Sequence, residues 1–513
     1  MSKKVIFIAF VVSLGGFLFG FDAGIISGVM SYAGPEFNLS DGQTGWVVSS
    51  PSFAAMIAML ISGRLSDIIG RKKILIFVAF SYAVSALFSA YAISYEMLYI
   101  ARMVGGFAFG AALILAPTYI AEISTAENRG KLVSIQQLNI VLGFFAAFLS
   151  NYYLNKLNTS GDSFFTDENV WRWMLGVELV PAVLYFIFMF FVPKSPRWLF
   201  TKQRNEEGKK VLISIHGEKK AEEEINSILE SLSKVEVEEE KVKLKDLFKP
   251  ALKFVLVVGF IIGVLQQITG INAVYFYATS IFKQTGIGTD AAFTQGVLLS
   301  FTSLVFTIVA IFLIDKMGRR PLLLVGLAGI SMSLLLCGYG FSQATYKLDS
   351  EKITKLDFVE KNKLEQFSGK TFDSDVAFKN AMKSSLGSQV YGKNEGAILE
   401  AAITMNATLV LIGVFGFIAC FAFSLGPVMW VLLSELFPNR YRGLAIGVIG
   451  FINSFVSWIV QLVFPWELSN FGNAISFLIF GGIALLGFLI LLKILPETKG
   501  KSLEQIEFDL VKN

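Results

Sequence analysis

"DIIGRK", residues 67–72, lies between two long apolar runs and returns later in the chain as "DKMGRR", residues 315–320. Working outward from it, further matches follow in the same order. "EISTAENRG" (122–130) returns as "ELFPNRYRG" (435–443), each with Glu seven residues before Arg. "PKSPRWL" (193–199) closes the first series and "PETKGKSLEQIE" (496–507) closes the second. Two halves with matching charged loops describe a parallel duplication. Such carriers place a binding site between the halves near the middle of a membrane.

Composition agrees with a membrane body. Of 513 residues, 54% are hydrophobic and only 16% charged, with 49 Phe. Soluble domains carry about 25% charged residues. Length alone would suggest three or four domains, but the apolar runs argue for one membrane-embedded body. Twelve runs come near the roughly 20 residues that a hydrocarbon core of about 30 Å requires: 5–30, 43–63, 74–93, 97–120, 132–153, 172–192, 251–278, 291–314, 321–341, 404–433, 443–464 and 473–494. The first is long and has no small-residue cleavage site after a short core, so it reads as a retained helix.

Lys and Arg in short loops set the orientation. With the N-terminus inside, the cytoplasmic side receives Lys3, Lys4, Arg71, Lys72, Lys73, Arg129, Lys131, Lys316, Arg319, Arg320, Arg440 and Arg442, against Lys156 and Lys283 outside. Both termini are therefore expected in the cytoplasm, and the chain in the cytoplasmic membrane. The net charge of +4 is spread among loops and makes no case for nucleic acid. Cys337 and Cys420 lie in apolar runs and suggest neither a disulfide nor a metal site. The lone His216 reads as a solvated loop residue. Residues 193–250 mix Lys and Glu with apolar positions at helical spacing, which predicts short amphipathic cytoplasmic helices. Residues 342–400 hold nine Lys and nine Asp or Glu; a small helical cap and a mobile loop both fit that balance.

The expected organisation is a six-helix half (1–192), a linker (193–250), a second half (251–495) carrying the 342–400 insertion, and a tail (496–513). With "GRLSDIIGRKK", "PKSPRWL", "QQITGINAVYFY", "DKMGRRPL", "GPVMWVLLSELFPNRYRG" and "PETKGKS" in this order, the chain resembles the sugar porter family of the major facilitator superfamily. That resemblance implies an all-α membrane protein of twelve transmembrane helices in two six-helix halves. It also implies a monosaccharide substrate, with no cofactor.

"QQITGINAVYFY", 266–277, concentrates Gln266, Gln267 and Asn272 in an apolar span. Amides offer donors and acceptors together, as sugar hydroxyls do. Thr269 and Gly270 can loosen the helix so that the amides converge. The plainer alternative is interhelical glue. The resemblance implies that Gln137 contacts sugar from the first half, that Trp430 stacks on a pyranose face, and that Phe19, Phe276 and Tyr277 are wall or gate aromatics. Asn453 aligns with a polar sugar contact, but Ser454 stands where relatives often have a second Trp, and Trp458 follows one turn later. Phe144 occupies a position that some relatives fill with a polar group.

Asp22, in "FLFGFDAGIISG" (17–28), is the sharpest anomaly. Insertion scales put a carboxylate at the bilayer centre at about 2.5–3.5 kcal/mol. It must be paired or protonated, and Arg102, entering the fourth span from the same outer side, is the natural partner. The resemblance to proton-coupled porters supports this pairing and adds Glu178 as a further carboxylate. Protonation of Asp22 from outside would release Arg102 and let the loaded carrier turn inward. A static salt bridge that fixes packing is the competing reading. At the cytoplasmic ends, Asp67, Arg71, Glu122 and Arg129, with Asp315, Arg319, Glu435 and Arg442, are expected to form a gate that latches the halves, or else to be plain topology anchors. The expected activity is proton–monosaccharide symport by alternating access, as a monomer in the lipid bilayer. The alternatives are a passive facilitator and a non-transporting sugar sensor. No nucleotide loop, metal cluster or nucleophile constellation points to an enzyme.

Overall fold

The computed structural model describes residues 3–125, 128–160, 164–237, 243–499 and 505; within these, the side chains of Arg129, Gly130, 231–237, Asp315 and Asn439 lie outside the described residues. Apolar composition and the need to satisfy every backbone group within the segment make long helices the outcome. Five uninterrupted helices open the chain: α1 (Lys3–Glu36), α2 (Asp41–Ile69), α3 (Arg71–Ala90), α4 (Tyr95–Ile123) and α5 (Arg129–Thr159). The sixth span is split into α6 (Val170–Val177) and α7 (Leu179–Phe191), with Glu178 at the break. Three short helices follow, α8 (Pro196–Thr201), α9 (Asn205–His216) and α10 (Glu218–Val237). His216 is not a solvated loop residue: it ends α9, and its Nε2 lies 3.0 Å from the Ile123 carbonyl.

The seventh span is broken into α11 (Lys253–Ile268), α12 (Ile271–Phe276) and α13 (Ala278–Lys283). Gly270 causes the first break, at φ 86°, a left-handed conformation that only glycine adopts without penalty. Then come α14 (Thr289–Met317) and α15 (Arg319–Ser342). The tenth span is split at Ser424 into α19 (Ala407–Phe423) and α20 (Leu425–Leu436). Pro427 explains that break, because it lacks an N–H and its ring collides with the carbonyl four residues back. The two expected spans 443–464 and 473–494 run on as α21 (Asn439–Ile494), which bends at Gly472, φ 78°. Among the described residues, eleven helical stretches are therefore long and apolar enough to cross a membrane, and the last is two spans joined at a bend.

The insertion is folded, and it is not purely helical. Between α15 and α19 lie α16 (Ser350–Thr354), α17 (Asp375–Leu386), α18 (Ser388–Ala402) and three strands, β1 (Thr345–Lys347), β2 (Thr371–Phe372) and β3 (Ile403–Thr404). The strands form an antiparallel sheet in the order β2-β1-β3, with Tyr346 opposite Phe372 on one side and Ile403 on the other. Its own core includes Tyr346, Leu364, Phe378, Met382 and Leu399. Charge balance concealed this core, since Lys or Glu stands directly beside each of these apolar residues.

Contacts divide the chain into two compact units: Met1–Asp22 with Ser50–Ala146 and Leu175–Lys243, and Ala23–Ser49 with Ala147–Met174 and Leu244–Asn513. In the first, α3 packs against α4 and α7 around Leu75, Tyr82, Leu115, Tyr119 and Met189. In the second, α15 lies against α19 and α21, and α11 against α21. The segments 23–49 and 147–174 hold the predicted outer ends of the first-half helices, and they belong to the second unit.

Candidate functional site

Within the first unit, Asp22 and Arg102 meet in a fork. Arg102 Nη1 donates to Asp22 Oδ1 at 3.1 Å and Nη2 donates to Oδ2 at 3.4 Å. Both residues are buried, at 5% and 2% exposure, and so is Glu178 at 3%. Glu178 interacts electrostatically with both of them. The break between α6 and α7 places that carboxylate where the helix ladder is already interrupted. Two acids and one guanidinium thus share a dry site, and protonating either acid balances the charge. Buried pairs of this kind are weak stabilisers, because desolvation offsets most of the attraction.

The second unit gathers amides. Asn453 Nδ2 donates to Gln266 Oε1 at 2.8 Å and to the Gly263 carbonyl at 2.8 Å. Gln267 Nε2 donates to Asn453 Oδ1 at 3.2 Å, and Asn272 Nδ2 donates to Gln267 Oε1 at 2.9 Å. Gln266 Nε2 reaches the carbonyl of Leu425, the first residue of α20, at 3.2 Å. The left-handed turn at Gly270 lets Asn272 join Gln266 and Gln267, which an unbroken helix would separate around its circumference. The helix breaks and the amides therefore form one construction. Paired donors and acceptors on a shared wall suit a polyhydroxylated ligand.

The other expected contacts fall into two groups. Trp430 is 43% exposed, with Gly450 beside its ring. Gln137 is partly exposed on α5. By contrast Phe276 and Tyr277 are buried, and the Tyr277 hydroxyl donates to the Gln461 carbonyl at 3.0 Å. Phe19 packs on Phe109 at 4.7 Å and Phe144 at 6.5 Å. Two residues that sequence reasoning missed extend the amide group. Ser457 accepts from Asn272 at 2.7 Å and from Gln461 Nε2 at 2.7 Å. Asn453, Ser457 and Gln461 follow at helical spacing, and that period was the signal available to find them.

The repeated loop motifs build matching clusters, each within its own half. Arg71 Nη2 pairs with Asp67 at 2.8 Å and with Glu122 at 3.0 Å, and the Ser195 hydroxyl donates to the other Glu122 oxygen. Arg319 Nη2 pairs with Glu435 at 2.8 Å, and Thr498 donates to the second Glu435 oxygen at 2.6 Å. Ser195 and Thr498 were not singled out, yet each stands two residues after the proline that opens its motif, in "PKS" and "PET". Glu497 also accepts from the backbone N–H of Arg319 and Arg320, capping α15. Arg442 does not join Glu435; its Nε donates to the Phe437 carbonyl at 3.3 Å. The side chains of Arg129 and Asp315 lie outside the described residues.

Other missed contacts lie within the second unit, at the predicted outer ends. Ser27 and Thr279 are hydrogen-bonded at 2.9 Å, and Asn155 donates to Asp290 at 2.7 Å. Each joins a first-half helix to a second-half helix. Both cysteines are free thiols, and no metal-binding group occurs among the described residues.

This is the twelve-span, two-half fold of the major facilitator superfamily, with interrupted helices at its polar sites. The chain belongs to the sugar transporter family: the family model "Sugar (and other) transporter" matches residues 8–356 and 385–510. The unmatched residues, 357–384, fall inside the insertion. Among curated relatives, the arabinose-proton symporter of Bacillus subtilis is 33% identical over 98% of this chain and 94% of its own length. The major myo-inositol transporter IolT of the same organism is 34% identical over 98% of this chain and 93% of its own. Among solved structures, the inward-open xylose transporter XylE from E. coli matches with a TM-score of 0.75 and 28% identity, covering 99% of this chain and all of that one.

Proposed function

We propose that this chain carries a monosaccharide into the cell together with a proton, by alternating access. The observation that supports it most is the buried Asp22–Arg102 fork with Glu178 beside it. Such a pair contributes little to stability, and an Asn–Gln pair would pack without the desolvation penalty. Its value is as a switch. Protonation of Asp22 frees Arg102, and Glu178 competes for the guanidinium. The carrier then passes inward, and deprotonation on that side resets it. One proton moving down 100 mV contributes about 2.3 kcal/mol, enough for roughly fifty-fold accumulation of a neutral sugar. The arabinose-proton symporter among the relatives supports both the substrate class and the coupling.

Gln266, Gln267, Asn272 and Asn453 serve as the second half's sugar contacts, with Trp430 as the stacking face, and Gln137 is the first half's sugar contact. Phe19, Phe276 and Tyr277 act as wall or gate aromatics. The clusters at Arg71 and Arg319, with Arg129, Asp315 and Arg442, form a cytoplasmic latch. Its members are individually weak, but several together bias two conformations by a few kcal/mol. Both termini lie in the cytoplasm, and the boundaries at 192/193 and 250/251 separate the halves from their linker.

The test is uptake into vesicles of labelled pentoses, hexoses and inositol, with and without an imposed pH gradient. Gradient-dependent accumulation and alkalinisation of the medium on sugar addition are expected. Uptake that never exceeds the outside concentration, whatever the gradient, defeats the coupled reading and leaves a passive facilitator.

A further inference from the structure

Two buried polar atoms beside one glycine pair have no partner among the described residues. Tyr185 is fully buried and its hydroxyl is unpartnered; a Cβ built on Gly15 would lie 3.2 Å from that oxygen. Gln136 is 5% exposed and its Oε1 is unpartnered; a Cβ built on Gly16 would lie 3.1 Å from its Cγ. A third group converges here, because the Tyr82 hydroxyl donates to the Gly15 carbonyl at 3.0 Å. Leaving a buried hydroxyl or amide unsatisfied costs about 1–3 kcal/mol. Two such groups at one step of α1 call for an explanation.

Their placement supplies one. Gly15 and Asp22 are seven residues apart on α1, and Tyr185 and Glu178 are seven apart along the sixth span. Seven residues are nearly two turns, about 10 Å along the same face. The two spans run in opposite directions, yet Asp22 follows Gly15 whereas Glu178 precedes Tyr185. The acids therefore share one level, and Gly15 and Tyr185 share a second level nearer the predicted cytoplasmic end. Beyond it, Asn139 donates to Ser13, which continues the polar column alongside Gln136. All of these residues belong to the first unit.

We infer that Tyr185 and Gln136, flanking the Gly15–Gly16 step, form the inner leg of the proton route from the Asp22–Glu178 pair, with Tyr82 fixing the Gly15 carbonyl between them. This rests on the proton-coupled reading. The route requires water to enter the step as the carrier moves; a buried water takes two to four polar partners, and the phenols, amide and carbonyl offer them. The protonated carboxyl gives its proton to water. A file of waters across the about 10 Å between the levels passes one on to the Tyr185 oxygen, which accepts it and releases its own to a further water held by the Gln136 Oε1, and that water carries it away as hydronium. Every O–H bond broken is remade, one proton enters the chain and one leaves, and the carboxylate returns to Arg102. Tyr185 is a relay and never touches sugar.

The experiment compares wild type with Tyr185→Phe in proteoliposomes, measuring sugar counterflow, pH-gradient-driven uptake and the ratio of uptake rates in H2O and D2O. Gln136→Leu is the second variant. Expected is counterflow within about twofold of wild type, gradient-driven uptake slowed about tenfold, and a larger isotope ratio, because only the proton-release step is impaired. Deleting an unpartnered hydroxyl removes no bond, so a purely structural Tyr185 predicts no change in any of the three. Uptake and isotope ratio equal to wild type in Tyr185→Phe overturns the relay, as does equal loss of counterflow and driven uptake, which would mark a packing defect. If wild type itself fails to alkalinise the medium, the coupled reading falls and takes the relay with it. Wild-type alkalinisation with an unaffected Tyr185→Phe removes the relay alone.

Discussion

The two halves share a plan but differ in what they bury. The first half encloses ions, with Asp22, Arg102 and Glu178 at 5%, 2% and 3% exposure. The second encloses neutral amides, Gln266, Gln267, Asn272 and Asn453, bonded to one another and to backbone carbonyls of neighbouring helices. A charge in a dry place is an energetic lever that a proton can throw. An amide there is a template whose donors and acceptors can be exchanged for those of a ligand. Duplication supplied two similar frames, and on the proposed reading the side chains divide the labour between energy and recognition.

The most severe way to test this division is to neutralise the lever. Asp22→Asn should abolish accumulation, a loss of roughly fifty-fold per 100 mV, while equilibrium exchange of sugar persists. An Asp22→Asn protein that still concentrates sugar would show that the ions are only packing. Next comes the template: Gln266→Ala and Trp430→Ala should each weaken sugar affinity more than about tenfold, or 1.4 kcal/mol, in a direct binding assay. Coupling in these variants should survive at saturating sugar. Near-normal affinity in both would remove the amide wall from the site.

A smaller effect is expected where the halves are most alike. Charge reversal at Glu435 breaks the contacts to Arg319 and Thr498 and should shift the carrier toward the inward-open form. Cysteine accessibility at the predicted cytoplasmic face would report that shift, and no change counts against the latch. Smallest of all, Ser195→Ala and Thr498→Ala each delete one hydrogen bond to a carboxylate, worth about 1.5–3 kcal/mol. The two should lower thermal stability by similar amounts. Unequal losses would mean that the matching clusters carry different loads.

Much of this was legible in order and little of it in detail. Hydropathy located the spans because lipid imposes one length on every helix, whereas helix ends were underestimated. α1 runs to Glu36 rather than stopping near residue 30, since nothing in water breaks it before Asn38, whose φ is 48°. The Asp22–Arg102 pairing was readable because a charge in lipid demands a partner. Ser457 and Gln461 carried only their helical spacing from Asn453 as a signal, because a serine and a glutamine on a bundle helix are ordinary until their neighbours are known. The clusters at Glu122 and Glu435 were anticipated in their charged members. Their hydroxyl donors, Ser195 and Thr498, come from loops after the sixth and twelfth spans, and only folding returns those loops to the Arg–Glu pairs. The insertion hid its core because its apolar residues run no more than three together between charged ones.

That insertion has a practical consequence. Its Asp375 carboxylate accepts from the Asn473 backbone N–H at 2.9 Å and side-chain amide at 2.7 Å, and its Glu395 accepts from Gln284 at 3.0 Å. A 56.5 kDa carrier buried almost wholly in detergent offers an electron microscope little to align on. A compact lobe moored by polar bonds to the bundle is an epitope for an antibody fragment, and it would give each particle image a fixed bearing.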